Sequence, residues 1–163
     1  MQTSYSLRPS AAVAGMLGDI GPWDIFSSVN EEASAAMPFG TVVKWGTQER
    51  TSKILSASTD MLQGIVIRRH WYERTLELDA DVDGVKAGVR IDVLRKGRIW
   101  VPTGTAAALT ADIFVRYAGT GTKGAVRNAA VTDETIDISA IAKVVTPASG
   151  SGLVQLDVDF TNF

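Results

Sequence analysis

Ile91-Asp92-Val93-Leu94-Arg95-Lys96-Gly97-Arg98-Ile99-Trp100-Val101 is the stretch on which the fold turns. Residues 91–95 and 98–101 are rich in β-branched and aromatic side chains, which fit a pleated, half-buried surface. They flank Lys96-Gly97, where glycine supplies the positive φ of a tight turn. The spacing predicts a two-stranded hairpin. Similar runs lie on both sides: Val42-Val43-Lys44-Trp45 and residues 63–72 before it, residues 112–117, 136–145 and 153–160 after it. In the last, Leu156, Val158 and Phe160 share one face and Gln155, Asp157 and Asp159 the other, the period of two of a half-buried strand. Gly/Thr/Ser/Pro loops at 102–104, 119–121 and 147–152 separate the runs. Residues 29–36 and 106–109 are the plausible helical patches, and both are short. The expectation is an all-β chain, an antiparallel sandwich or barrel of jelly-roll type with at most one or two short helices.

Upstream, residues 4–46 break this pattern. Tyr5, Leu7, Met16, Ile20, Trp23, Ile25 and Phe26 are too apolar for a solvated tail. Pro9, Gly15, Gly18, Gly21, Pro22 and Pro38 interrupt any helical stripe. An irregular segment with an apolar payload buries it on its own domain or on a neighbour. Residues 1–40 therefore read as an N-terminal arm and residues 41–163 as one β domain, with Thr41 to Gly46 opening the sheet. Tyr5, Leu7, Met16, Ile20, Trp23 and Ile25 are the expected interface residues.

Composition narrows the chemistry. The chain has 163 residues, enough for one sizeable core. Its net charge of −2 argues against a dedicated nucleic-acid binder. It has no cysteine, which excludes disulfides, thiolate metal sites and a cysteine nucleophile. No apolar run reaches the roughly 18–20 residues that span a bilayer. Arg8 followed by Ala12-Val13-Ala14 mimics a signal peptide, but the apolar run from Ala11 to Leu17 is short and glycine-interrupted. The expectation is a soluble chain that stays in the cell that makes it, without membrane or direct nucleic-acid contact.

Each catalytic motif is incomplete. Gly119-Thr120-Gly121-Thr122-Lys123-Gly124 fits G-x-G-x-x-G, yet no helix pattern follows it to meet a pyrophosphate, so it reads as a hairpin loop. Asp79-Ala80-Asp81-Val82-Asp83-Gly84 opens like a calcium loop, but Arg90 stands where the bidentate glutamate belongs. An acidic turn is the simpler reading, with weak cation binding by Asp79, Asp81 and Asp83 left open. His70 is the one histidine and sits in a strand run without a nucleophile-elbow motif. Arg68, Arg69, Arg74, Arg90, Arg95, Lys96 and Arg98 make a basic middle that Glu73, Glu77, Asp79 and Asp81 can balance. Trp23, Trp45, Trp71 and Trp100 are spread over separate elements, which suits core or interface packing better than a sugar platform. No catalytic residue, metal or cofactor is expected.

The first hundred residues resemble the structural cement, or head decoration, proteins of tailed bacteriophages. The resemblance is carried by Ala14-Gly15-Met16-Leu17-Gly18-Asp19, Gly21-Pro22-Trp23-Asp24-Ile25, Asn30-Glu31-Glu32-Ala33, Met37-Pro38-Phe39-Gly40, residues 60–66 and residues 92–101. It implies a non-enzymatic protein on the outside of a phage head, bound to the major capsid protein at joints of the shell. It also implies a homo-oligomer, trimer ahead of dimer, made in the host cytoplasm. The rival readings are a carbohydrate-binding or adhesin-like β module on a virion surface, and a small hydrolase using Asp79 and Asp81.

Overall fold

A computed structural model describes residues 12–18, 21–69, 78–79 and 83–161, and it is all-β. Its strands are β1 (Asp24–Asn30), β2 (Met37–Pro38), β3 (Val42–Trp45), β4 (Thr51–Ile54), β5 (Leu62–Val66), β6 (Leu78–Asp79), β7 (Gly84–Val85), β8 (Arg90–Thr103), β9 (Phe114–Arg116), β10 (Val126–Arg127), β11 (Thr135–Asp137), β12 (Ala142–Thr146) and β13 (Gly152–Asp159). Among the described residues there is no helix, so neither 29–36 nor 106–109 is helical. Asn30 shows why the first patch fails. Its amide donates to the carbonyls of Ala35 and Val85 at 3.0 and 3.1 Å, and its Oδ1 accepts from Glu32 N at 3.0 Å. Such side-chain bonds to backbone compete with the helical ladder.

Five strands close a ring. β1 pairs with β4, β4 with β3, β3 with β5, β5 with β8, and β8 with β1 again. An odd number of strands cannot alternate in direction all round a closed ring. One neighbouring pair must be parallel, and it is β1–β4, with Val29 opposite Thr51 and Asn30 opposite Ser52. The sheet thus starts at Asp24, upstream of Thr41. A buried relay crosses the parallel seam: Ser28 and Ser52 hydroxyls lie 2.6 Å apart, and Ser52 also donates to Gln63 Oε1.

The expected hairpin at Gly97 does not form. β8 runs unbroken through Lys96-Gly97 for 14 residues. Its first part pairs with β1 and β5, and its second with β13, from Thr103 opposite Gly152 to Lys96 opposite Asp159. Partners along its whole length keep the strand extended where a turn would forfeit the second set. The irregularity survives as a bulge: Asp24 faces Lys96 and Ile25 faces Leu94, leaving Arg95 unmatched. Gly97 does take the expected positive φ, +129, but inside the strand and not in a turn. A Cβ there would stand 2.7 Å from Cδ1 of Trp23.

Beyond the ring, β12, β13, the second half of β8, β10, β9 and β11 continue the sheet, and β2, β7 and β6 form a small separate one. Successive residues of β8 are buried on opposite faces. Leu94 joins a core with Val42, Ile65, Ile99, Val101, Leu156 and Phe160, while Val93 joins a second with Met37, Phe39, Val43, Val66 and Val85. Burial on both faces explains why alternation is weak in residues 91–94.

Glu31, just past β1, ties the β3–β4 turn. It accepts from the hydroxyls of Thr47 and Thr51 and from the Thr47 and Gln48 amides, at 2.7 and 3.3 Å for the amides. The Thr47 and Thr51 hydroxyl bonds lower its pKa from 4.5 to about 2. Asp159, bonded by Lys96 and Thr161, is likewise held at about 2. A depressed carboxyl pKa contributes stability above the unfolded value and loses it as pH falls towards the folded one. Stability should therefore fall between about pH 4.5 and 2. Glu31→Gln should flatten that fall without removing the Asp159 share, as followed by chemical denaturation at stepped pH.

Candidate interaction surface

Residues 15–18 lie along β8 as an extra edge segment. Gly18 N donates to Arg98 O at 2.7 Å, Trp100 N to Met16 O at 2.8 Å, and Gly15 N to Trp100 O at 2.8 Å. Leu17 bridges Ile99, which faces Leu156 of β13 on its other side. Arg68 fastens the segment from a third direction, its N donating to Gly15 O at 2.8 Å and its Nε to Ala14 O at 3.2 Å. Gly15 has φ +78, and a Cβ there would stand 2.8 Å from Arg68 N. This stretch blunts what would otherwise be an open strand edge. It leaves apolar side chains outward: Val13 is 48% and Met16 44% exposed.

The chain then reaches a row of aromatic rings and arginines at one end of the ring. Trp23, 38% exposed, sits over Gly97. Asp24 lies 3.7 Å from Arg95, and the Arg95 guanidinium is 5.9 Å from the centroid of Trp45. Trp45, 37% exposed, meets Phe26 edge-on with centroids 5.3 Å apart. Arg50 stands 5.7 Å from the Phe26 centroid. Both contacts have cation–π geometry. Arg50 is held at φ +58, a left-handed conformation unusual for a side chain of its size. Its carbonyl accepts Val29 N and the Ser28 hydroxyl, each at 3.0 Å, which fixes the conformation.

The sequence pattern of the structural cement protein family (E217 gp24/Pam3 gp6) matches residues 1–159. The chain belongs to this phage structural cement family. A chain in the solved structure "The capsid of Myoviridae Phage XM1" has the same fold, with a TM-score of 0.68 over 98% of this chain and 97% of that one, at 14% identity. No curated protein sequence matches the chain significantly.

In this cement-family chain the expected interface residues fall into three groups. Met16 and Trp23 are exposed as described. Ile25 is half-buried and packs on the chain's own core. Tyr5, Leu7 and Ile20 lie outside the described residues, as do His70, Trp71, Arg74 and Asp81. The basic middle is laced to acids among the described residues: Arg68 to Asp83, Arg69 to Asp92 at 3.0 Å, Lys96 to Asp159 at 2.7 Å and Arg98 to Asp157 at 3.6 Å, while Glu73, Glu77 and Asp81 lie outside them. Residues 119–124 form the loop between antiparallel β9 and β10, and no helix opens there. Asp79 pairs with Gly84 of β7, and residues 80–82 of the acidic stretch lie outside the described residues. Among the described residues no three His, Asp or Glu gather as a metal site.

The clustering of Phe26, Trp45, Arg50 and Arg95 escaped the sequence reading. The four residues come from β1, β3, the β3–β4 turn and β8. No spacing links them; ring closure brings them together. An open groove of about 590 Å³ is lined by Phe39, Pro102, Thr103, Arg116, Gly121 and Arg127 among others. Arg116 there is tied to Glu134 at 3.3 Å and to the Thr120 carbonyl, so its charge is satisfied internally.

Proposed function

We propose that this protein is a capsid cement protein that binds the outer surface of a phage head and stabilises joints between major capsid protein subunits. The observation that carries the reading is the match to the structural cement family over residues 1–159. The role is mechanical and has no chemical step. Residues 1–40 are the proposed arm, although β1 and β2 within them also join the body's sheets, with Tyr5, Leu7, Met16, Ile20, Trp23 and the half-buried Ile25 contributing to contacts with neighbouring copies and with the shell. The exposure of Val13, Met16 and Trp23 along one short stretch of chain supports this. The protein works as a homo-oligomer, trimer ahead of dimer, because a closed cyclic assembly lets each arm lie on a neighbour. Many modest contacts repeated over a lattice then sum to firm attachment. It is made in the host cytoplasm and ends on the capsid exterior.

Two measurements test this. Light scattering on the purified chain should give a discrete oligomer mass. DNA-filled heads carrying the protein should withstand heating that bursts undecorated heads. Equal heat release of DNA from decorated and bare heads would remove the cement role.

A further inference from the structure

We propose that the aromatic–arginine row at the end of the ring is the docking face for an acidic segment of the capsid shell. The proposal rests on the capsid-binding reading above and names the chemistry of the partner.

Three observations carry it. First, Trp45, Phe26, Arg50 and Arg95 touch in sequence, which joins side chains that dominate binding energy at protein interfaces, Trp and Arg, in one patch, with Trp23 separately exposed beside Gly97. Trp23 and Trp45 each keep more than a third of their surface in solvent, beside half-buried Phe26. Second, the patch is cationic. Arg50 makes no ion pair among the described residues, and Arg95 has Asp24 alone, at 3.7 Å. Two guanidiniums against one carboxylate leave one positive charge uncompensated. On the same body Arg69, Lys96 and Arg98 each have a carboxylate opposite. Third, the patch is pre-organised. Arg50 is fixed in a left-handed conformation by two hydrogen bonds to its carbonyl, and Trp23 is seated on Gly97 where no side chain intrudes. Pre-organisation lowers the entropy lost on binding.

The occupant that fits is a peptide segment with carboxylates placed to reach Arg50 and Arg95. It would carry an apolar side chain between them to lie against Trp45 and Phe26. A guanidinium already resting on a ring face can still present its N–H fork to a carboxylate. A sugar is less well served, because the Trp45 ring is engaged by Arg95 and by the edge of Phe26.

The test is binding of the full chain to undecorated heads at several salt concentrations. Trp45→Ala should weaken binding about 30-fold. Arg50→Glu should weaken it about tenfold and reduce its salt dependence. Arg50→Lys should stay within a few-fold of the parent, and Lys123→Glu, in the β9–β10 loop, should bind as the parent does. Oligomer mass should not change in any variant, and melting temperature should fall by no more than several degrees, most for Trp45→Ala, which loses its contact with Phe26. Parent-like binding by both Trp45→Ala and Arg50→Glu overturns the proposal. So does a fall in oligomer mass, which would make the face a contact between copies. Failure of the parent chain itself to bind heads would overturn the functional reading, and this proposal with it. Parent binding with unaffected variants overturns this proposal alone.

Discussion

Leu94→Ala is expected to cost about 3 kcal/mol of folding stability. Leu94 is fully buried in the larger core and sits at the point where the ring closes, opposite Ile25 of β1 on one side and Ile65 of β5 on the other. Truncation leaves a cavity that three strands border, and a closed ring relaxes poorly into it. For a chain of this length such a loss lowers the melting temperature by about 6–12 °C. Val93→Ala should also destabilise, by about 1–2 kcal/mol, because Val93 fills the other core. Calorimetry on both variants, with exposed Leu109→Ala as a control within about 0.5 kcal/mol, checks this. A strand with one solvated face would tolerate one of the two core changes. Here neither should be tolerated.

Two truncations separate the arm from the body. Removal of residues 1–11 takes away Tyr5 and Leu7 but none of the segment that pairs with β8. It should leave the melting temperature within a few degrees and abolish head attachment or oligomerisation. Removal of residues 1–22 should do more. It strips the four backbone hydrogen bonds that Gly15, Met16 and Gly18 make with Arg68, Arg98 and Trp100. At roughly 1 kcal/mol net for each bond, the loss is about 4 kcal/mol. It also bares the β8 edge, so aggregation should follow. A cut through residue 26 would go further still, into the first residues of β1. Denaturation curves and sedimentation of the two truncated forms distinguish these effects. Normal head decoration by the shorter truncation would refute the assignment of the arm.

The all-β class was legible because several runs alternate cleanly. In β13 and the residue after it, Leu156, Val158 and Phe160 are buried and Asp157 is exposed, as the period of two requires. Gln155 departs from that pattern. It is buried, accepts from the Thr146 hydroxyl at 2.9 Å, and lies where a side chain on Gly18 would collide with it. A polar residue on the outer face is thus covered by a segment more than a hundred positions upstream, which local periodicity does not reveal. The Lys96-Gly97 turn signal misled for a related reason. Gly97 has the positive φ of a turn, +129, but uses it within a strand beside Trp23, and nothing near residue 97 encodes those partners. Strand Asp24–Asn30 was hidden inside the apparent arm because Gly-Pro punctuation before it and polar Ser27, Ser28 and Asn30 within it masked a strand that closes the ring. The arginine–aromatic row was illegible for the same physical reason: its members meet through long-range pairing of β1, β3 and β8.

Titration of undecorated phage heads with the purified protein decides whether it is a cement protein. Saturable binding to the outer surface at a fixed number of copies per head is expected. Absence of saturable binding to intact heads, or binding only to disrupted shells, would contradict the cement role.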